Sequence, residues 1–220
     1  MAELKNLFEN FDSLVFFDTE TTGLKATKDR IIELAAVELR LVNGRAVVGE
    51  EMDSFVKLPA YRRLPEFITK LTGISDAILS EQGEDEEAVA ERFTQMLKGK
   101  NVLLIAHNAR FDLTFVQALL ARQGRGRILQ GVHCLDTLKV YKKRRAKNHK
   151  LCDAIADYGL EDKVCNSHRA IDDVRALIEV AKAMNNQKDD LDTFVQGVEE
   201  YLPELVQEPA MDLFQYAGLF

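Results

Sequence analysis

A mixed-sheet α/β domain is the fold class the sequence predicts, and three observations carry it. Residues 14–17 and 102–106 are short, fully apolar runs of strand length. Residues 31–42 are rich in aliphatics and alternate in their second half, and Asn43-Gly44 then leads into Ala46-Val47-Val48, a strong hairpin signal. Strands come first and helices are interleaved later, the order of a mixed α/β sheet. With 220 residues, 46% hydrophobic and 30% charged, the chain resembles an ordinary globular protein and can bury a real core.

The elements follow in order. Leu14-Val15-Phe16-Phe17 is a buried strand ending in the turn Asp-Thr-Glu-Thr-Thr-Gly. Glu84-Asp85-Glu86-Glu87 opens a helix whose stripe is Val89, Phe93, Met96 and Leu97, with Gly99 just past its end. The strand at 102–106 leads to a helix capped by Asn108, and residues 122–127 form a Gly/Arg turn. A strand at 132–135 and helices at 151–158 and 170–184 complete the region. Beyond Met184, Leu191, Phe194, Val195, Val198 and Leu202 have the spacing of one more amphipathic helix, and Pro203 and Pro209 bracket an apolar tail. This divides the chain into residues 1–185 as the main domain and 186–220 as a C-terminal helix and tail.

Composition excludes several classes. No apolar run approaches the ~20 residues of a membrane span, and the first twelve residues carry acids where an export signal would be basic. Cys134, Cys152 and Cys165 are odd in number and lack C-x-x-C spacing, which argues against a disulfide framework or a zinc site and fits the cytoplasm. A net charge of −7 argues, at first sight, against a nucleic-acid partner.

Four carboxylates stand out against this background. Asp18 and Glu20, two apart at a strand end, project from one face, although in isolation turn chemistry is the better explanation of the pair. Asp112 shares the apolar stripe of Phe115, Val116 and Leu119, where a carboxylate is costly unless a cation or hydrogen bonds compensate it. Asp173 lies at the edge of the stripe Ala170, Val174, Leu177, Ile178, whereas Asp172 falls on the polar face with Arg175 and Glu179. Oxygen ligands of this kind suit Mg²⁺ or Mn²⁺, and a pair of such cations can clamp a displacement at phosphorus. His168 lies five residues before Asp173, a spacing that puts the two on different faces of one helix, so it can join the acids only from the preceding loop or first turn. There a histidine could serve as general base towards water.

Phe17-Asp18-Thr19-Glu20-Thr21-Thr22-Gly23-Leu24, His107-Asn108-Ala109-Arg110-Phe111-Asp112 and His168-Arg169-Ala170-Ile171-Asp172-Asp173 together resemble the three motifs of the DEDDh 3′→5′ exonucleases. The likeness is to the DnaQ-like superfamily, in particular the proofreading epsilon subunits of bacterial DNA polymerase III. Arg30-Ile31-Ile32-Glu33-Leu34, Leu71-Thr72-Gly73-Ile74-Ser75 and Asn148-His149-Lys150-Leu151 are secondary matches. The resemblance implies an RNase H-like fold, a five-stranded mixed sheet with one antiparallel strand, flanked by helices. It also implies that Asp18, Glu20, Asp112 and Asp173 hold two divalent cations, Mg²⁺ or Mn²⁺, with Asp18 bridging them, and that His168 deprotonates the attacking water. Thr21, Leu24, Thr72 and Asn108 match positions that contact the 3′-terminal nucleotide. The implied substrate is a single-stranded DNA 3′ end, released as nucleoside 5′-monophosphates, with RNA as the alternative. A non-catalytic nucleic-acid or polymerase-binding module is disfavoured by the complete set of acids.

Two features lie outside these motifs. Lys142, Lys143, Arg144 and Arg145, with Lys139, Lys147 and Lys150, gather positive charge where backbone phosphates could be held, or form a solvated face. Ala210-Met211-Asp212-Leu213-Phe214 resembles a short sliding-clamp-binding peptide but lacks the leading Gln; docking of Leu213 and Phe214 on the domain is the plainer reading.

Overall fold

A computed structural model describes residues 4–146, 148–165 and 167–206. Six strands form one sheet: β1 (Ser13–Thr21), β2 (Ile31–Val42), β3 (Arg45–Phe55), β4 (Val102–Ala106), β5 (His133–Asp136) and β6 (Val195–Gly197). Their order is β3-β2-β1-β4-β5-β6. β1, β4 and β5 are parallel, whereas β2 is antiparallel to both β1 and β3. The hairpin at Asn43-Gly44 forms as its sequence dictates, with both turn residues at positive φ.

The helices are α1 (Lys5–Phe8), α2 (Glu66–Thr72), α3 (Asp76–Gln82), α4 (Glu86–Leu97), α5 (Ala109–Arg122), α6 (Thr137–Arg144), α7 (Leu151–Asp157) and α8 (Ala170–Gln187). Alternation along β1 explains the two-sided core. Val15 and Phe17 face the layer containing α4 and α5, where Phe17 packs against Phe93 with ring centroids 5.9 Å apart. Leu14 and Phe16 face the layer containing α8. The seven-residue helices α2 and α3 carry too little periodicity to be read from sequence. Ile68, Ile74 and Leu79 of this segment bury themselves against Ile32.

The sequence reading needs correction at residues 191–202. The expected amphipathic helix is instead a 3₁₀ turn at Leu191–Phe194, strand β6, and a second 3₁₀ turn at Val198–Glu200. β6 pairs antiparallel with β5, so the sheet has six strands where the family pattern led to an expectation of five. The reason is geometric. Leu191 buries itself on the α8 side of the sheet, whereas Val198, Tyr201 and Leu202 bury themselves on the α4/α5 side. A helix offers one apolar stripe, but an extended segment wrapping the sheet edge serves both faces and satisfies the backbone of β5.

Asn108 occupies the N-cap position of α5 in the left-handed region, φ 76°, but makes no side-chain capping bond. Its N–H donates to Asp136 Oδ1 at 3.0 Å. Lys147 and the clamp-like segment at 210–214 lie outside the described residues.

Candidate active site

The parity that places Leu14 and Phe16 on the α8 face of β1 also directs Asp18 and Glu20 there, at the strand's C-terminal end. This is also where parallel β1 and β4 end and α5 begins, the usual location of sites in open α/β sheets. Asp112, in the first turn of α5, is buried, and its charge opposes ionisation of Asp18. Its Oδ1 accepts the Thr19 N–H at 3.1 Å and the Thr19 hydroxyl at 2.7 Å. The alternatives of satisfied core Asp and site residue are therefore not exclusive: Thr19 fixes one oxygen of a carboxylate that sits within the acidic cluster.

Asp173 is buried on α8, and His168 precedes that helix in the left-handed region, φ 57°. Ligand atoms of Glu20, His168 and Asp173 all lie within 4.8 Å of one another. Asp172 is turned elsewhere, accepting the Ser167 hydroxyl at 2.6 Å and pairing with Arg175 at 4.0 Å. Spacing alone had separated the two aspartates in the same sense.

Electrostatics distinguishes this cluster from an ordinary buried ion pair. Glu38, fully buried on the same sheet, meets opposing effects: burial pushes its carboxyl up, while bonds from Arg40 and Lys100 prevail and pull it down to about 2. Glu20 is instead pushed up to about 8, by burial first and then by Asp173, Glu33 and Asp112, with Arg169 opposing. Burial raises Asp112 to about 7 against the bonds from Thr19. Burial and then Asp112, Asp173, Glu20 and Glu33 hold Asp18 well above the usual carboxylate range. Carboxylates that are partly or wholly buried and repel one another form a poor resting state and a good receptor for hard cations. The donor set, carboxylate oxygens with an adjacent imidazole, fits Mg²⁺ or Mn²⁺, with Asp18, Glu20, Asp112 and Asp173 as the residues that would hold them.

The remaining sequence candidates lie in varied settings. Thr21 is buried and donates to the Gly23 carbonyl at 2.6 Å, and Leu24 stands 84% exposed on the loop that follows. The Thr72 hydroxyl is spent within its own turn, donating to Ile68 O at 3.0 Å and accepting from Ile74 N at 3.1 Å. Arg144 bonds the Met184 carbonyl at 2.6 Å and pairs with Asp190, and Arg145 pairs with Asp157 at 3.2 Å. Lys142 and Lys143 are exposed. Sequence reasoning gave no role to Thr19, Asp136 or Arg169. It noted Glu33 only within a motif, although a charged residue inside the aliphatic run 31–37 was signal enough.

A PolC-type DNA polymerase III of Caldanaerobacter subterraneus subsp. tengcongensis is 35% identical over 170 residues, 76% of this chain and 11% of the relative. A PolC-type DNA polymerase III of Staphylococcus epidermidis is 35% identical over 180 residues, 80% of this chain and 12% of the relative. The chain thus spans about a tenth of the length of the curated relatives it matches. Among solved structures, E. coli Exonuclease I in complex with a dT13 oligonucleotide aligns with TM-score 0.72 at 21% identity, over 83% of this chain and 43% of that one. Exonuclease I from Methylocaldum szegediense aligns with TM-score 0.69 at 22% identity, over 90% and 46%. A family model described as an exonuclease, RNase_T, matches residues 15–181, the stretch that holds all four acids and His168; the chain belongs to this exonuclease family.

Proposed function

We propose that the protein removes nucleotides one at a time from the 3′ end of single-stranded DNA, in the cytoplasm, and releases nucleoside 5′-monophosphates. The single observation that carries this reading is the convergence of Glu20, His168 and Asp173 beside the Thr19-held Asp112 and the raised Asp18. The fold-level likeness to an exonuclease bound to oligo-dT favours DNA as the polyanion, and the polymerase relatives favour proofreading. RNA 3′ ends are the second reading, because the acids do not discriminate between the sugars. A polymerase or a sliding clamp is the natural partner class for a proofreader.

Two divalent cations, Mg²⁺ or Mn²⁺, bound by Asp18, Glu20, Asp112 and Asp173 would polarise the terminal phosphate and offset its negative charge. His168, exposed and on the loop side of the cluster, accepts the proton of the attacking water at an imidazole nitrogen. The water–phosphorus bond forms as the bond from phosphorus to the 3′ oxygen of the penultimate nucleotide breaks. Thr21, Leu24, Thr72 and Asn108 lie on the segments assigned to the terminal nucleotide, with exposed Leu24 as the side chain able to meet a base.

End-labelled single strands of DNA and RNA, each with Mg²⁺ or Mn²⁺ and products sized over time, test the reading. Stepwise monophosphate release from the 3′ end supports it, and faster loss of RNA selects the second reading. His168→Ala is expected to lower kcat by about 10²–10⁴-fold with little change in the Mn²⁺ midpoint. A midpoint raised tenfold would make His168 a cation ligand instead.

The geometry also divides the basic run. Lys142→Ala with Lys143→Ala is expected to weaken DNA binding and flatten its salt dependence by up to about one unit of slope per lost phosphate contact. Arg144→Ala is expected to lower Tm with the salt slope unchanged, since it removes the Met184 and Asp190 links. Binding isotherms at several salt concentrations distinguish the two, and an unchanged slope in the lysine variant removes these residues from the interface.

A further inference from the structure

Glu33 is fully buried in β2 and is the register partner of Glu20 across the β1–β2 ladder. Directly opposed carboxylates repel, so something must hold this pair together. Arg169 does so, with Nε and Nη2 donating to Glu33 Oε1 at 2.9 and 2.8 Å, while the Ala170 N–H donates to Oε2 at 3.0 Å. The guanidinium also lies over the Phe55 ring on β3, 4.8 Å from its centroid. Arg169 is thus fixed by two strands at the point where α8 begins.

Both proposed site residues of this segment flank that point. His168, immediately before it, adopts a left-handed backbone that a non-glycine residue keeps only when its surroundings enforce it. Asp173, four residues after it, donates its N–H to the Arg169 carbonyl at 3.0 Å. Resting on the two-cation reading above, we propose that Arg169, clamped by Glu33, is a positioning residue that sets His168 and Asp173 against Glu20. Its loss lowers turnover and cation affinity while leaving DNA affinity in place.

Glu38 supplies the control. It is equally buried on the same strand and paired with Arg40 and Lys100, but it lies away from the acidic cluster. Mn²⁺ titrations followed by thermal shift, without substrate, are to be run on the full chain as wild type, Arg169→Ala, Arg169→Lys, Glu33→Gln and Glu38→Gln, with kcat and KM on single-stranded DNA measured in parallel. In Arg169→Ala and Glu33→Gln the Mn²⁺ midpoint is expected to rise about tenfold and kcat to fall about 10–100-fold, with KM within about twofold. Arg169→Lys should fall between, since an ammonium keeps the charge but not the fork. If Arg169→Ala fails to fold, the Arg169→Lys and Glu33→Gln results decide. Glu38→Gln should lower Tm and move neither midpoint nor kcat. A Tm loss in the Arg169 and Glu33 variants with midpoint and kcat unmoved, as in Glu38→Gln, overturns the positioning role alone. A wild type with no Mn²⁺-dependent shift overturns the cation reading and this inference with it.

Discussion

Asp18→Asn is expected to reduce nuclease activity by about 10²–10³-fold and, in the metal-free protein, to raise Tm. The two effects have one cause. Asp18 lies where burial, Asp112, Asp173, Glu20 and Glu33 all oppose its ionised form, so a carboxamide of the same shape relieves repulsion. Relief of each kcal/mol raises Tm by roughly 2–4 °C in a chain of this size. The same charge is the one through which the proposed cations would be held, and removing a single preorganised electrostatic contact commonly costs about 10²–10³-fold in rate. Thermal melts with chelator and with Mn²⁺, beside activity assays, check both parts. Wild type should gain stability with Mn²⁺, and Asp18→Asn should gain little. Retained activity would remove Asp18 from the site, and an unchanged chelated Tm would mean that the cluster stores no repulsion.

Much of this arrangement was legible in the sequence because it rests on local periodicity. The hairpin at 43–44, the strand at 102–106 and the stripe of α8 each depend on neighbouring residues, and the stripe alone separated Asp173 from Asp172. The parts that were not legible depend on contacts between distant segments. Residues 191–202 carry a helical spacing that β5 overrides, because free backbone groups at the sheet edge outweigh a modest stripe interrupted by Gly197. Arg169 is an ordinary surface residue by type, and only its contact with Glu33, 136 positions away, gives it a task. Asp136 is similar: it closes the start of α6 through the Leu138 N–H and holds Asn108 from another strand. The basic run misleads in the opposite direction, since composition cannot show that Arg144 is engaged by the end of α8.

The acidic net charge, which argued against a nucleic-acid partner, takes on a different meaning once its most unusual members are located together. Cation binding would turn a repulsive cleft into one that attracts phosphate. This charge inversion also makes the site strongly sensitive to pH, and the sign can be worked out. In the metal-free fold Glu20 stands at about 8 and Asp112 at about 7, against ordinary values near 4. The folded protein therefore retains protons that the unfolded chain releases. The stabilising contribution of these groups is complete below the ordinary carboxylate range and is lost as pH rises towards 8. Tm of the chelated protein should accordingly fall between about pH 5 and 8.

Cation binding runs against the same protons, because the ligands must ionise. Apparent Mn²⁺ affinity should rise about tenfold per pH unit for each proton displaced, and so by at least about 10²-fold from pH 6 to 8. Calorimetric titrations in buffers of different ionisation enthalpy count those protons directly, with at least one expected per cation at pH 6. A midpoint independent of pH, with no proton release, would mean that the four carboxylates are already ionised in the empty cleft. The repulsion argued for Asp18→Asn would then be wrong as well. Activity limited by cation occupancy should follow the same slope at low Mn²⁺ and a shallower one at saturating Mn²⁺, because excess cation removes the carboxylate protons that a higher pH would otherwise remove, while the general base His168 must still be unprotonated.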